Sequence, residues 1–149
     1  MGMARIMRRA ILTLLGALLI AQPAFGEIAR IKRSMGNATV QRDGASLTLQ
    51  PGFLLLTGDT LVTGKDGQIS LTFADDSRFS IGPDSHISVD RFEYNARSQT
   101  GEFVTRINHG SLAIVSGQIA RSKQDAMKVR TPTSLLGVRG TRFIVEVPQ

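Results

Sequence analysis

Gly58-Asp59-Thr60-Leu61-Val62-Thr63-Gly64-Lys65-Asp66-Gly67-Gln68-Ile69-Ser70-Leu71-Thr72-Phe73 is the stretch that decides the fold class. Past Asp66-Gly67, apolar Ile69, Leu71 and Phe73 alternate with polar Ser70 and Thr72. A period of two places one set of side chains on a core and the other in water, which is a half-buried strand. Ahead of it, Gly58-Asp59 opens a shorter strand, Thr60-Leu61-Val62-Thr63. The Gly and Asp-Gly punctuation leaves no room for a helix of ordinary length.

The same grammar runs in both directions. Upstream, Ala38 to Arg42 leads into Asp43-Gly44, a two-residue turn of the type that needs φ > 0, followed by Leu47-Thr48-Leu49 and Pro51-Gly52. Downstream come Arg78 to Ile81, His86 to Tyr94, Phe103 to Ile107, Leu112 to Val115, Met127 to Thr131 and the regular Thr141 to Val147. About ten short strands are predicted, with at most one or two helical turns in Gln118 to Ala126. Such a chain buries its apolar faces by packing sheet on sheet or by closing one sheet on itself. A sandwich, a jelly roll and a short β-solenoid all meet that condition.

The N-terminus is of another kind. Arg5, Arg8 and Arg9 precede the uncharged Ala10 to Ala21, then Gln22-Pro23 and the small residues Ala24 and Gly26. This is the layout of a secretory signal peptide over residues 1–26, cleaved between Gly26 and Glu27, ahead of one domain over residues 27–149. The apolar run is about a dozen residues, short of the ~20 that cross a bilayer, so no stable membrane span is expected after cleavage. Of the 18 Lys and Arg, 15 remain after the leader against 12 Asp and Glu, a net of +3 with the charges interspersed. That balance carries no nucleic-acid footprint. With no Cys in 149 residues there is no disulfide, thiol nucleophile or thiolate metal site.

No catalytic constellation stands out in the sequence. Gly58 to Lys65 departs from a phosphate-binding loop in its glycine spacing and has Asp66 where a Ser or Thr would hold magnesium. His86 and His109 lack zinc-ligand spacing and read as solvated side chains beside turns. The aspartates gather at strand ends, where Asx turns account for them. No Trp and one Tyr supply little platform for sugars. No enzyme, cofactor or metal is therefore expected. Arg139, between Gly137 and Gly140 in apolar surroundings, is expected to be partly buried as an internal clamp with a carboxylate partner.

These landmarks in this order resemble the FecR domain family, the periplasmic modules named after the ferric-citrate signal transducer. The resemblance rests on Gly58, Asp59, Thr63 and Gly64 in the G-D-x-L-x-T-G segment and on Thr131, Pro132, Gly137, Val138, Arg139, Gly140, Thr141 and Phe143 in the T-P…V-R-G-T-x-F segment. It implies an all-β, non-catalytic module of the bacterial envelope, periplasmic or secreted, acting as a protein-interaction or scaffold domain. The namesake regulators relay receptor occupancy to a sigma factor through a membrane helix that precedes the domain; this chain opens on a leader instead. An anti-sigma-type role in transmembrane signalling and a cell-wall carbohydrate-binding role stand as alternatives. The family's closing hairpin after the T-x-F strand is not supplied by Pro148-Gln149. The strand Thr141 to Val147 is accordingly expected to show an open edge for another envelope protein or for self-association. Asp59, within the other landmark segment, is the carboxylate expected for Arg139.

Overall fold

A computed structural model describes residues 26–140 and 142–149, so the leader up to Phe25 and the landmark Thr141 lie outside the described residues. The protein is all-β. In chain order its strands are β1 (Ala29–Met35), β2 (Ala38–Arg42), β3 (Ala45–Thr48), β4 (Leu54–Leu55), β5 (Thr60–Thr63), β6 (Gln68–Phe73), β7 (Arg78–Ile81), β8 (His86–Asn95), β9 (Thr100–Val115), β10 (Met127–Arg130), β11 (Leu135–Val138) and β12 (Arg142–Val147). One short helix, α1 (Gln118–Ser122), follows β9. Among the described residues no helix is long and apolar enough to cross a membrane.

The strands form one sheet that folds over on itself, with β9 as the shared spine. The first half of β9 lies between β8 and β10, the second half between β7 and β12. One wing therefore runs β3-β2-β5-β8-β9-β10-β11 and the other β4-β1-β6-β7-β9-β12. All the pairings are antiparallel except β9 with β10. Gly110, at φ +101, sits where β9 passes from one wing to the other, and a Cβ there would run into Ser85.

Phenylalanines from both wings meet in the middle. Phe73 and Phe79 come from β6 and β7, Phe92 and Phe103 from β8 and β9, with ring centroids 4.6 to 5.5 Å apart. Aromatic pairs at these separations contribute beyond the area they bury. Ile69, Leu71 and Phe73 are all buried, as their alternation requires.

The expected ten strands become twelve for local reasons. β1 hides in the basic stretch Arg30-Ile31-Lys32-Arg33, where Ile31 alone faces the core and the cations face out. The two-residue β4 and the hairpin strand β11 were also not legible. Conversely, the two strands expected on either side of Asn108-His109-Gly110 are one, because β9 keeps its partners through the bend. Asp43-Gly44 does make the β2–β3 hairpin, with φ +50 and +79. Asp66-Gly67 instead carries the chain from one wing to the other, since β5 and β6 are not neighbours.

Candidate interaction edge

The G-D-x-L-x-T-G segment lies where the sheet folds over. Asp59, 1% exposed, opens β5 next to the end of β2. Its carboxylate accepts hydrogen bonds from Arg42 Nε (2.8 Å), Arg42 Nη2 (2.6 Å) and the Leu56 N–H (2.9 Å). The Arg42 guanidinium also donates to the Leu54 carbonyl and lies 5.3 Å from the Phe53 ring centre. Its hydrogen bond with Asp59, the largest influence, holds Arg42 above its ordinary pKa. Gly58, at φ +92, donates to the Val89 carbonyl, and Val89 donates back to Asp59.

Thr63 and Gly64 lie at the other end of β5, beside the start of β2. Thr63 Oγ1 donates to the Gly82 carbonyl (2.7 Å) and accepts from the Ser85 N–H (2.9 Å). Gly64 donates to the Asn37 carbonyl and accepts from the amides of Gly67 and Asp84. The wing crossings at Gly36-Asn37, Gly64–Gly67 and Gly82–Ser85 are thus tied together, and Ser85 Oγ reaches on to the Ser111 amide of β9. This arrangement satisfies buried polar groups where the chain leaves the ladders.

The pairing expected between Arg139 and Asp59 is corrected by the structure. Arg139 is exposed, in the connection between β11 and β12, and has no hydrogen-bond or ion-pair partner among the described residues. Two landmarks that recur in order need not touch. Register decides proximity, and β2 rather than β11 flanks β5. Arg42 was the residue missed, and its place at the end of the strand before Asp43-Gly44 was the available signal.

The second landmark segment builds the β10–β11 hairpin and enters β12. Thr131 Oγ1 accepts from the Ser134 N–H (2.9 Å) and the Thr131 amide donates to the Ser134 carbonyl, with Pro132 exposed between them. Gly137 stands opposite Lys128 and buried Val138 opposite Met127. Gly140 takes φ +41, and Phe143 packs against the core from β12.

β12 pairs with β9 along one side, Arg142 opposite Val115 through Val147 opposite Gly110. Along its other side no strand lies among the described residues. The other outermost strands are β3 and β11, four residues each, and the two-residue β4. β12, at six residues, is the longest. Phe143, Val145 and Val147 turn inward, while Arg142, Ile144 and Glu146 are exposed, Ile144 at 68%. A hollow of about 660 Å³ covers its outer face, bounded by Arg78, Val115, Arg142 and Ile144. A second, of about 520 Å³, opens between its inner face and the β10–β11 hairpin, with Pro132, Leu136, Val145 and Val147 on its walls.

His86 and His109, expected as solvated side chains beside turns, are cross-strand neighbours with ring centres 5.8 Å apart and both half-buried. His109 Nδ1 contacts the Asp84 carbonyl and His86 Nδ1 the Asn108 side chain, each at 2.8 Å. Among the described residues no group of three or more His, Asp or Glu side chains is placed to hold a metal ion.

A family model described as FecR protein matches residues 59–149, more than half of the chain. Among solved structures, one chain titled "Cell surface anchoring domain" is 32% identical, covering 41% of this chain and 82% of its own length, with a TM-score of 0.39. No curated protein sequence matches.

Proposed function

The chain belongs to the FecR protein family, and from that premise we propose that it is an exported interaction module engaging another envelope protein through the free edge of β12. The family is envelope-associated and non-enzymatic. The observation that carries the reading is the edge itself: six residues long, without a strand neighbour among the described residues, and bearing Ile144 in water at 68% exposure. A row of unsatisfied N–H and C=O groups beside apolar hollows is what an added strand uses, the main chain giving affinity and the hollows selectivity. Export, through cleavage after Gly26, belongs to the same proposal.

The test places a photo-crosslinking residue at Ile144 and, as control, at Thr48 on β3, in cells producing the protein. A crosslink to an envelope protein from position 144 and not from 48, lost on changing neighbouring Glu146 to Pro, supports the reading. Equal capture from both positions refutes it.

A further inference from the structure

The strand Arg142-Phe143-Ile144-Val145-Glu146 is complementary to itself when laid antiparallel about its middle residue. We propose that β12 also seats a second copy of this chain, β12 against β12 about a two-fold axis through Ile144. This rests on the reading that the β12 edge is an association surface and names one occupant for it.

In that register Arg142 of each copy faces Glu146 of the other, Ile144 faces Ile144, and Phe143 faces Val145. Opposed residues of an antiparallel pair point to the same face of the sheet. The outer face then carries two ion pairs around an Ile–Ile contact, and the inner face carries two Phe–Val contacts. A two-fold axis makes every off-axis contact twice, so one Arg and one Glu on a single strand suffice.

Neither charge has a counter-ion among the described residues. Arg142 stands opposite Val115 and Glu146 opposite Ser111 on β9. Neither Arg142 nor Glu146 forms an ion pair among the described residues. Four residues apart on a strand, they are separated by ~13 Å and do not neutralise each other.

The register is singular. Slipping by one residue would set inward side chains against outward ones. An axis through Phe143 puts Arg142 against Ile144, and one through Val145 puts Arg142 against Pro148. Neither unites a charge pair. The dimer would continue the wing β4-β1-β6-β7-β9-β12 into its copy as one sheet.

Sedimentation analysis of the full chain, expressed with its own leader, tests this. Arg142→Glu and Glu146→Arg each turn two attractions into two repulsions, and each alone is expected to weaken dimerisation roughly ten- to thirty-fold. Mixed one to one, the two variants restore opposite charges at both positions and are expected to form a heterodimer. The chain has no Cys, so an Ile144→Cys variant is expected to give a disulfide-linked dimer, whereas Glu146→Cys, which would face position 142, is not. Unchanged melting temperatures show that the variants fold. A monomer at all concentrations, or a dimer indifferent to both charge reversals, overturns the inference. If crosslinking from position 144 to another envelope protein persists in that monomer, the second copy is excluded while the edge reading survives. If dimers ignore every change on β12 and crosslinking is lost as well, both fall.

Discussion

Removing the Arg42 side chain is the sharpest test of how the landmark aspartate works. Asp59 is 1% exposed and accepts three hydrogen bonds, two of them from Arg42. In an Arg42→Ala variant the carboxylate keeps the Leu56 amide and loses its counter-charge. Breaking a buried pair by deleting one partner costs ~3–5 kcal/mol. The Arg42 side chain is 26% exposed, so water reaches the vacated space and the lower end applies, about 3 kcal/mol. For a domain of this size that corresponds to a fall in melting temperature of about 10 °C, read by circular dichroism. Arg42→Lys should recover less than half, because an ammonium cannot reproduce the two-pronged contact. The sign with pH is fixed: the folded-state pKa of Arg42 is raised by its bond to Asp59. Its stabilisation is therefore fully present below its ordinary value and is lost only as pH climbs through the raised one. The Arg42→Ala deficit should then stay flat between about pH 7 and about pH 10. A fall of less than about 3 °C, or one that Lys fully repairs, refutes the reasoning.

Other expectations are simpler. Thr63→Val removes the hydroxyl that joins Gly82 and Ser85 and should destabilise by ~1–3 kcal/mol in urea unfolding, with Thr63→Ser much milder. Phe103→Ala, at the centre of the four-ring cluster, should cost ~3–5 kcal/mol and raise binding of a dye for exposed apolar surface. Arg139→Ala, at an exposed position without a side-chain partner among the described residues, should stay within ~0.5 kcal/mol of the unmodified protein. Mass spectrometry of the exported protein should find Glu27 at its N-terminus; retention of Met1 would contradict the proposed export.

What was legible in the sequence was whatever depends on near neighbours along the chain. The alternation of Ile69, Leu71 and Phe73 requires no knowledge of the partner strand, and the Asp43-Gly44 hairpin is a property of two residues. What was not legible depends on register between distant segments. Asp66-Gly67 looks like a second hairpin turn, yet β6 pairs with β1 and β7, because the Asn37 and Gly64 contacts send the chain to the other wing. The histidines are 23 positions apart but adjacent for the same reason, the β8–β9 pairing. Arg139 misled because flanking glycines signal a bend as readily as a close approach, and Gly140 at φ +41 is a bend. The edge strand was legible as an alternating strand. Its open side was expected too, and among the described residues the topology places no strand there.

On the proposed reading, the first landmark segment and the β12 edge divide the labour between stability and association. Asp59 and Thr63 satisfy buried groups where the sheet folds over, so their loss leaves donors or charges stranded and is felt as unfolding. The side chains of Arg142, Ile144 and Glu146 point into water from β12 and satisfy no buried group among the described residues, so their replacement strands none of these. Phe143 and Val145, between them, keep the strand seated on the core. Because inward and outward residues alternate, an edge strand can change the charges it shows to a partner without giving up the contacts that hold it to β9. Melting temperature should therefore follow substitutions at Arg42, Thr63 and Val145, and association should follow those at Arg142, Ile144 and Glu146. A variant of Ile144 that lowers both together would show that the edge is part of the folding core and not a surface held free for a partner.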